Sequence, residues 1–183
     1  MDVKGTAVIT TPKFVEQVHG PQAHARWLAA LSPASHDIFK GIILPSTWYP
    51  ASAAISDPTR LLCDMFYGGK HDGAWKLGRF SAEFALHGIY KLLVRMASPR
   101  FVVEKGSSLI ANYYRPMQLA TRDLDATHLS VTFSGMDEPT EFVAPRIGGW
   151  VERAFEICGA KGVAVSVEKN TGSAIEMLAG WTD

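Results

Sequence analysis

Glu83 and His87 are the pair of side chains best suited to acid–base chemistry, because they stand four residues apart in a segment with a helical pattern. Residues at this spacing lie on one face of a helix, where a carboxylate can hydrogen-bond an imidazole. Such a pair would act as general acid and base if a cavity opened beside it. A structural hydrogen bond explains the same spacing, and no substrate-binding motif accompanies the pair. We therefore expect no catalytic residues and no enzymatic activity.

Motifs of nucleophilic, nucleotide and metalloprotease chemistry do not occur in the sequence. The absent motifs are Gly-x-Ser-x-Gly, the phosphate-binding Gly-x-x-x-x-Gly-Lys-Ser/Thr, the dinucleotide glycine fingerprint and His-Glu-x-x-His. Cys63 and Cys158 can form neither a disulfide framework nor a pair of thiols at metal-ligand spacing. Leu61-Leu62 precede Cys63, and Phe155 and Ile157 precede Cys158; among such apolar neighbours burial raises the pKa of a thiol and lowers its reactivity. We expect both cysteines to be buried and inert.

Aromatic side chains offer a second kind of site, one that binds rather than reacts. An aromatic wall with a few hydroxyl or imidazole groups is what a small apolar or phenolic ligand requires. We predict such a pocket between the helices and the first hairpin. Its predicted ligand-binding residues are Trp48, Trp75, His87, Tyr90, Tyr113 and Tyr114, with Tyr49 and Arg115 beside them. The alternative is that all of these are ordinary core and surface residues.

The length and charge of the chain limit its partners. Its 183 residues and 47% hydrophobic content are ordinary for a globular protein, so we expect residues 1–183 to fold as a single domain. Eighteen basic residues balance 18 acidic ones, which removes the general attraction for nucleic acid. The same balance leaves little repulsion between copies and favours a homodimer. Without a long apolar run or a signal peptide, we expect a cytoplasmic protein with no membrane span.

Proline and glycine divide the first part of the chain into short helices. Thr11 can cap a helix that begins at Pro12, after the β-branched segment Thr6–Ile9. Gly20-Pro21 and Ser32-Pro33 give the same signal, because a proline suits the first position of a helix. The sequence therefore predicts two short helices and, from Ser32-Pro33, a further short turn before residue 40.

Longer helices are predicted after an aromatic corner that runs from Pro45 to Pro50. An alanine-rich helix should run to Tyr67, and Pro58 should kink or divide it because proline removes one backbone hydrogen bond. The longest helical candidate runs from Trp75 to Met96 and is apolar on most sides, as in a helix buried in a core or an interface. Ser98-Pro99 should end it and start the next helix.

The final third changes to the period of β-strands. Residues 118–124 and 127–134 flank a two-residue turn, and apolar residues alternate with polar ones in the second run, which predicts a hairpin. Residues 147–158 repeat apolar side chains every three or four positions, which predicts an amphipathic helix ended by Gly159. A second hairpin follows around Asn170-Thr171-Gly172. The predicted fold is α+β: a helical N-terminal part packed on a four-stranded antiparallel sheet, in the order helices-ββ-α-ββ.

This order of elements resembles that of a known group of domains, and Gly148-Gly149-Trp150 at the start of the last helix adds to the likeness. The group comprises 4-vinyl reductase-type effector modules and TRAPP vesicle-tethering subunits, and haem nitric-oxide-binding domains have a related arrangement. The chain is also similar to a paralogous family of unknown function expanded in myxobacteria, through Val3-Lys4-Gly5-Thr6, Ile43-Leu44-Pro45-Ser46-Thr47-Trp48-Tyr49-Pro50 and Trp150-Val151-Glu152-Arg153-Ala154-Phe155-Glu156-Ile157-Cys158-Gly159-Ala160. The resemblance implies a TRAPP-like fold in a bacterial protein and no particular reaction.

The resemblance also suggests two metal centres to consider. In the effector modules the last hairpin carries cysteines that bind structural zinc, whereas this hairpin has none, and Cys158 with Glu168 falls short of four ligands. In the haem domains a histidine ligates the iron, and His87 is the candidate in this chain. Those domains hold the haem propionates with Tyr-x-Ser-x-Arg, which Tyr113-Tyr114-Arg115 does not reproduce. We expect no metal, no haem and no other cofactor.

The combined prediction is a non-enzymatic regulatory or sensory module. It would bind a small apolar or aromatic ligand in the inter-helix pocket and shift a dimer or partner interface, which requires different affinities for two states. The alternative is a ligand-free scaffold or adaptor that acts through its dimer or partner interface. The apolar stripe of the helix from Arg146 to Cys158 would belong either to that interface or to the core under the sheet.

Overall fold

The computed structural model describes residues 1–86, 98–137 and 141–182, without the side chains of 107–109. Helices form most of its first part. They are α1 (Gly5–Val8), α2 (Thr10–His19), α3 (Pro21–Ala30), α4 (Pro33–Phe39), α5 (Asp57–Tyr67), α6 (Asp72–Ala85) and α7 (Pro99–Ile110). The helix predicted from Trp75 to Met96 is therefore described as far as Ala85, and residues 87–96 of it lie outside the described residues. In the described part, no helix is long and apolar enough to cross a membrane.

Helix α3 starts at the predicted proline, and the short turn predicted at Ser32-Pro33 is the seven-residue helix α4. Proline occupies the first turn of α3, α4 and α5, where its missing N–H leaves no hydrogen bond unmade. Ser32 caps α4 by accepting a hydrogen bond from the backbone N–H of Ser35. A π-helical turn (Ser52–Ser56) precedes α5, so the alanine-rich stretch is divided next to Pro58, as predicted.

The predicted start of α2 is wrong by two residues. The helix begins at Thr10 and not at Pro12, and the β-branched segment Thr6–Ile9 is already largely helical. The chain turns into α1 at Gly5, where a Cβ would overlap the carbonyl group of Leu44. This close approach ends the preceding extended segment, so tertiary packing and not β-propensity decides the local structure.

A three-stranded sheet, which the sequence does not predict, joins distant parts of the chain. Its strands are β1 (Asp2–Lys4), β2 (Trp48–Pro50) and β3 (Tyr114–Arg115), paired antiparallel in the order β2-β1-β3. Val3, at the centre, stands opposite Tyr49 and Tyr114. Strands of two or three residues are too short to show a period of two, so the pattern gives no sign of them.

The four-stranded antiparallel sheet confirms the prediction for the last third of the chain. Its strands are β4 (Gln118–Asp123), β5 (His128–Ser134), β6 (Lys161–Asn170) and β7 (Ala174–Thr182), in the order β4-β5-β7-β6. Leu129, Val131 and Phe133 of β5 are buried on one face. Helix α8 (Val143–Ile157) covers that face, and its Phe155 belongs to the same hydrophobic cluster. The apolar stripe of α8 therefore lies in the core.

The buried side chains form two hydrophobic clusters. One lies among the helices and includes Trp27 and Leu62, and the other lies between α8 and the four-stranded sheet and includes Phe155. We call residues 5–86 the helical lobe and the described residues of 98–182 the sheet lobe. Tyr114 and Ile147 pack against both clusters. They mark the junction of the two lobes.

Candidate functional site

Helices α6 and α8 cross in backbone contact and join the two lobes. A Cβ on Gly78 of α6 would overlap the carbonyl oxygen of Arg146 and stand 2.9 Å from its carbonyl carbon. A Cβ on Gly149 of α8 would overlap the carbonyl oxygen of Trp75 in the same way. Only glycine fits at both points, because any other residue would push the helices apart. The Gly148-Gly149-Trp150 motif is thus part of this crossing.

Five charged side chains bridge the same two helices. Arg79 of α6 donates hydrogen bonds to Glu152 and Glu156 of α8, with a nitrogen–oxygen distance of 2.8 Å to Glu156. Arg153 of α8 donates to Glu83 of α6 at 2.7 Å. Partial burial acts to raise the pKa of Glu156, but hydrogen bonds from both arginines outweigh it and lower the pKa. The carboxylate of Glu83 is thus an ion-pair partner of α8, while His87, its predicted acid–base partner, lies outside the described residues.

Arg146 of α8 is buried at the centre of the junction and is only 5% exposed. Its guanidinium group donates hydrogen bonds to the hydroxyls of Thr10, Thr11 and Thr59 at 3.1–3.2 Å and to the carbonyl of Ala7 at 3.3 Å. Burial lowers the pKa of the guanidinium, and among the described residues no carboxylate pairs with it. Sequence reasoning gives Arg146 no role. The signal that could have found it is a charged residue on the apolar face of an amphipathic helix.

Trp75 and Tyr114, two of the predicted ligand-binding residues, lie at contacts between the lobes. The indole N–H of Trp75 donates to Glu152 at 2.9 Å, and a Cβ on Gly148 would stand 2.5 Å from its ring. Tyr114 packs against both hydrophobic clusters, and burial raises the pKa of its hydroxyl. A molecule that binds between the lobes would meet these two side chains.

Trp48 and Tyr113 lie at the three-stranded sheet, to which Tyr114 also belongs. The guanidinium carbon of Arg115 stands 3.5 Å from the centroid of the Trp48 ring, and the Lys4 ammonium stands 5.7 Å from it. Tyr113 is half-buried just before β3, and its carbonyl accepts a hydrogen bond from the N–H of Lys4. Two further predicted residues, which lie outside the described residues, are His87 and Tyr90. The binding role of all six residues stays a prediction.

Both cysteines are buried, as the sequence predicts, and burial raises the pKa of each thiol to about 11. At about pH 8 we therefore expect Cys63 and Cys158 to react with iodoacetamide at least about a hundredfold more slowly than an exposed cysteine, because thiolate is the reactive form. Intact-mass spectrometry of the folded protein measures the rate, and labelling in urea provides the control. Fast labelling of the folded protein would contradict this expectation.

No protein-family profile and no curated protein sequence matches the chain. Its structure is nevertheless similar to solved structures of H-NOX proteins, the haem nitric-oxide-binding domains. An H-NOX protein from S. oneidensis in the Fe(II)NO ligation state gives a TM-score of 0.75 at 10% identity, over 98% of this chain and 99% of that one. Unliganded Fe(II) H-NOX from K. algicida gives 0.70 at 12% identity, over 98% and 97%. An oxygen-binding H-NOX domain related to soluble guanylate cyclases gives 0.67 at 10% identity, over 98% and 95%.

The chain has the H-NOX fold. The likeness covers both lobes, so the predicted relation to haem nitric-oxide-binding domains is confirmed at the level of the fold. The predicted likeness to TRAPP subunits, to 4-vinyl reductase-type effector modules and to the myxobacterial family stays a prediction. Identities of 10–12% show a shared fold alone, so the residues of this chain decide what its H-NOX fold can bind.

A haem needs an axial ligand in the interior and donors for its propionates, and His87, the candidate for the axial ligand, lies outside the described residues. Helix α7 has no histidine, and its Val103 is buried in one cluster with Met117. His128 of β5 is hydrogen-bonded to Asp125 at 2.9 Å near the exposed end of the hairpin. None of the five tyrosines begins a Tyr-x-Ser-x-Arg motif, and Arg146 donates to threonines and a carbonyl instead.

Proposed function

We propose that the chain is a non-enzymatic regulatory or sensory module of the cytoplasm that uses the H-NOX fold to bind a small apolar or aromatic molecule other than haem. The observation that carries the proposal is the match to H-NOX proteins over both lobes, combined with the absence of a Tyr-x-Ser-x-Arg motif from the sequence. In two of the matched proteins the bound species are named as nitric oxide and oxygen. A fold shared with ligand-binding proteins at only 10–12% identity is compatible with a different ligand.

The junction offers a physical route from ligand to signal. Trp75 on α6 contacts α8 through Glu152, and Tyr114 on β3 packs against both clusters. A ligand between the lobes would alter the contacts of these side chains and shift how the lobes are arranged. It does so only to the extent that it binds one arrangement more tightly than the other. The output would be contacts with other proteins.

Native mass spectrometry of gently purified protein tests this function. We expect added mass from a small organic molecule, and no Soret absorbance when hemin is supplied to the protein. Loss of the added mass in Trp75→Leu, with retention in Trp48→Leu, would place the ligand at the α6–α8 crossing. The reverse pattern would place it at the three-stranded sheet. Circular dichroism of both variants checks that they fold.

Two results would overturn the proposal. Stoichiometric haem with a Soret band that His87→Ala abolishes would show that the chain is a haem protein after all. An unliganded protein whose thermal midpoint is unmoved by panels of phenols and fatty acids would favour a scaffold or adaptor. One observation supports that second candidate: Val103 of α7, Met117 and Met136 are buried in one cluster with side chains of the sheet, which leaves less room for a ligand.

A further inference from the structure

We propose that the outer face of the three-stranded sheet is a dimer interface between two copies of this chain. Asp2 and Lys4 of β1 lie on this face, because side chains alternate along a strand and Val3 between them is fully buried. Trp48 stands opposite Lys4, and Arg115 stands opposite Asp2, so these side chains share the face. The interface develops the homodimer that the sequence predicts, and it does not depend on the ligand of the proposed function.

Charges of both signs on this face make it complementary to itself. Arg115 and Lys4 stand over the Trp48 ring, and Asp2 is exposed beside them. Within the described part of the chain, none of the three charged groups forms an ion pair. A two-fold axis that passes between Asp2 and Arg115 would place Asp2 of each copy against Arg115 of the other copy. The dimer would then contain two equivalent ion pairs. An acidic peptide or an anionic membrane would leave Asp2 without a cationic partner.

Exposed apolar side chains also occur on the loop that leads into β2. Ile42 is 87% exposed and Leu44 is 54% exposed. The loop backbone is nevertheless held in place, since the N–H of Gly5 donates to the carbonyl of Thr47 at 2.9 Å and the N–H of Leu44 donates to the Tyr49 hydroxyl at 3.0 Å. Covering large apolar side chains on an already ordered loop costs little further entropy. Such a surface is typical of a protein interface.

Charge reversal tests the pairing directly. Asp2→Arg and Arg115→Glu each set like charges against each other across the two-fold axis, and each should weaken dimerisation by about tenfold or more. An equimolar mixture of the two variants restores opposite charges at both contacts and should dimerise like the unchanged protein. Sedimentation velocity at low ionic strength measures the association. Arg122→Glu is the matched control, because it reverses an exposed arginine of β4 and should leave dimerisation unchanged.

Several results would overturn the interface. The unchanged protein could be monomeric, or its dimer could withstand both reversals. The mixture could stay monomeric although both variants keep a native circular dichroism spectrum. A dimer broken only by Arg122→Glu would place the contact on the four-stranded sheet. Each of these results leaves the mass spectrum of bound ligand unaffected, so failure of the interface is distinguishable from failure of the proposed function.

Discussion

Gly78→Ala is expected to lower the free energy of unfolding by about 2–4 kcal/mol. The added methyl group would overlap the carbonyl oxygen of Arg146, which belongs to the backbone of α8 and cannot rotate away. Helix propensity predicts the opposite sign, because alanine is better than glycine in a helix by about 1 kcal/mol. A loss of stability would therefore report the contact between α6 and α8. The midpoint of urea denaturation, followed by circular dichroism, measures it.

Gly106→Ala provides the matched control. Gly106 also lies inside a helix, α7, and no described atom stands close to a Cβ built at this position. This variant should gain up to about 1 kcal/mol from helix propensity. If both variants change stability in the same direction, the crossing is not the cause. An unchanged midpoint for Gly78→Ala would mean that α6 and α8 do not touch.

The hairpins and α8 could be predicted because their patterns are long and local. Leu129, Val131 and Phe133 alternate with polar residues along the whole of β5. The apolar stripe of α8 repeats over four turns of the helix. Helix starts at Pro21 and Pro33 follow from the chemistry of single residues. In each case the residues that determine the element lie within it, so one sequence suffices.

The junction could not be predicted, because its contacts join residues far apart in the chain. The glycine motif at 148–150 is visible in the sequence. The contact that requires glycine there is with Trp75 on another helix. Trp48 and Tyr114 are recognisable as aromatic residues, but they belong to one sheet only because the three-residue strand β1 pairs with both of their strands. Neither propensity nor period carries information about such pairings. The predicted set of aromatic residues therefore spreads over two places, the crossing and the three-stranded sheet.

A shared fold does not by itself carry a shared haem chemistry, for a related reason. The arrangement of the lobes depends on the core and on the glycine crossing, which are independent of any ligand. Haem binding depends on a few ligand and donor side chains, and those can change while the core is kept. Arg146, surrounded by Thr10, Thr11 and Thr59, illustrates this. Its cationic group is satisfied within the protein and is not free to hold a propionate.

Arg146→Ala should cost about 3–5 kcal/mol of unfolding free energy. Truncation would leave a cavity at the junction and would remove the hydrogen-bond donor of the Thr11 and Thr59 hydroxyls and of the Ala7 carbonyl. Removing the charge itself should raise the free energy of unfolding, because burial disfavours the charged guanidinium and lowers its pKa. The loss of packing and of hydrogen bonds should outweigh this relief. Urea denaturation at neutral pH measures the balance.

Arg146→Met separates the two contributions, because methionine keeps most of the apolar stem and carries no charge. We expect it to cost clearly less than Arg146→Ala, since buried ionic groups can often be replaced by apolar side chains of similar volume with little loss. Equal costs for the two variants would mean that the hydrogen bonds to the threonines dominate and that the stem contributes little. An alanine variant as stable as the unchanged protein would contradict the burial of Arg146. The two stability losses together measure how much the Arg146 side chain of α8 contributes to the contact between the sheet lobe and helices α1, α2 and α5.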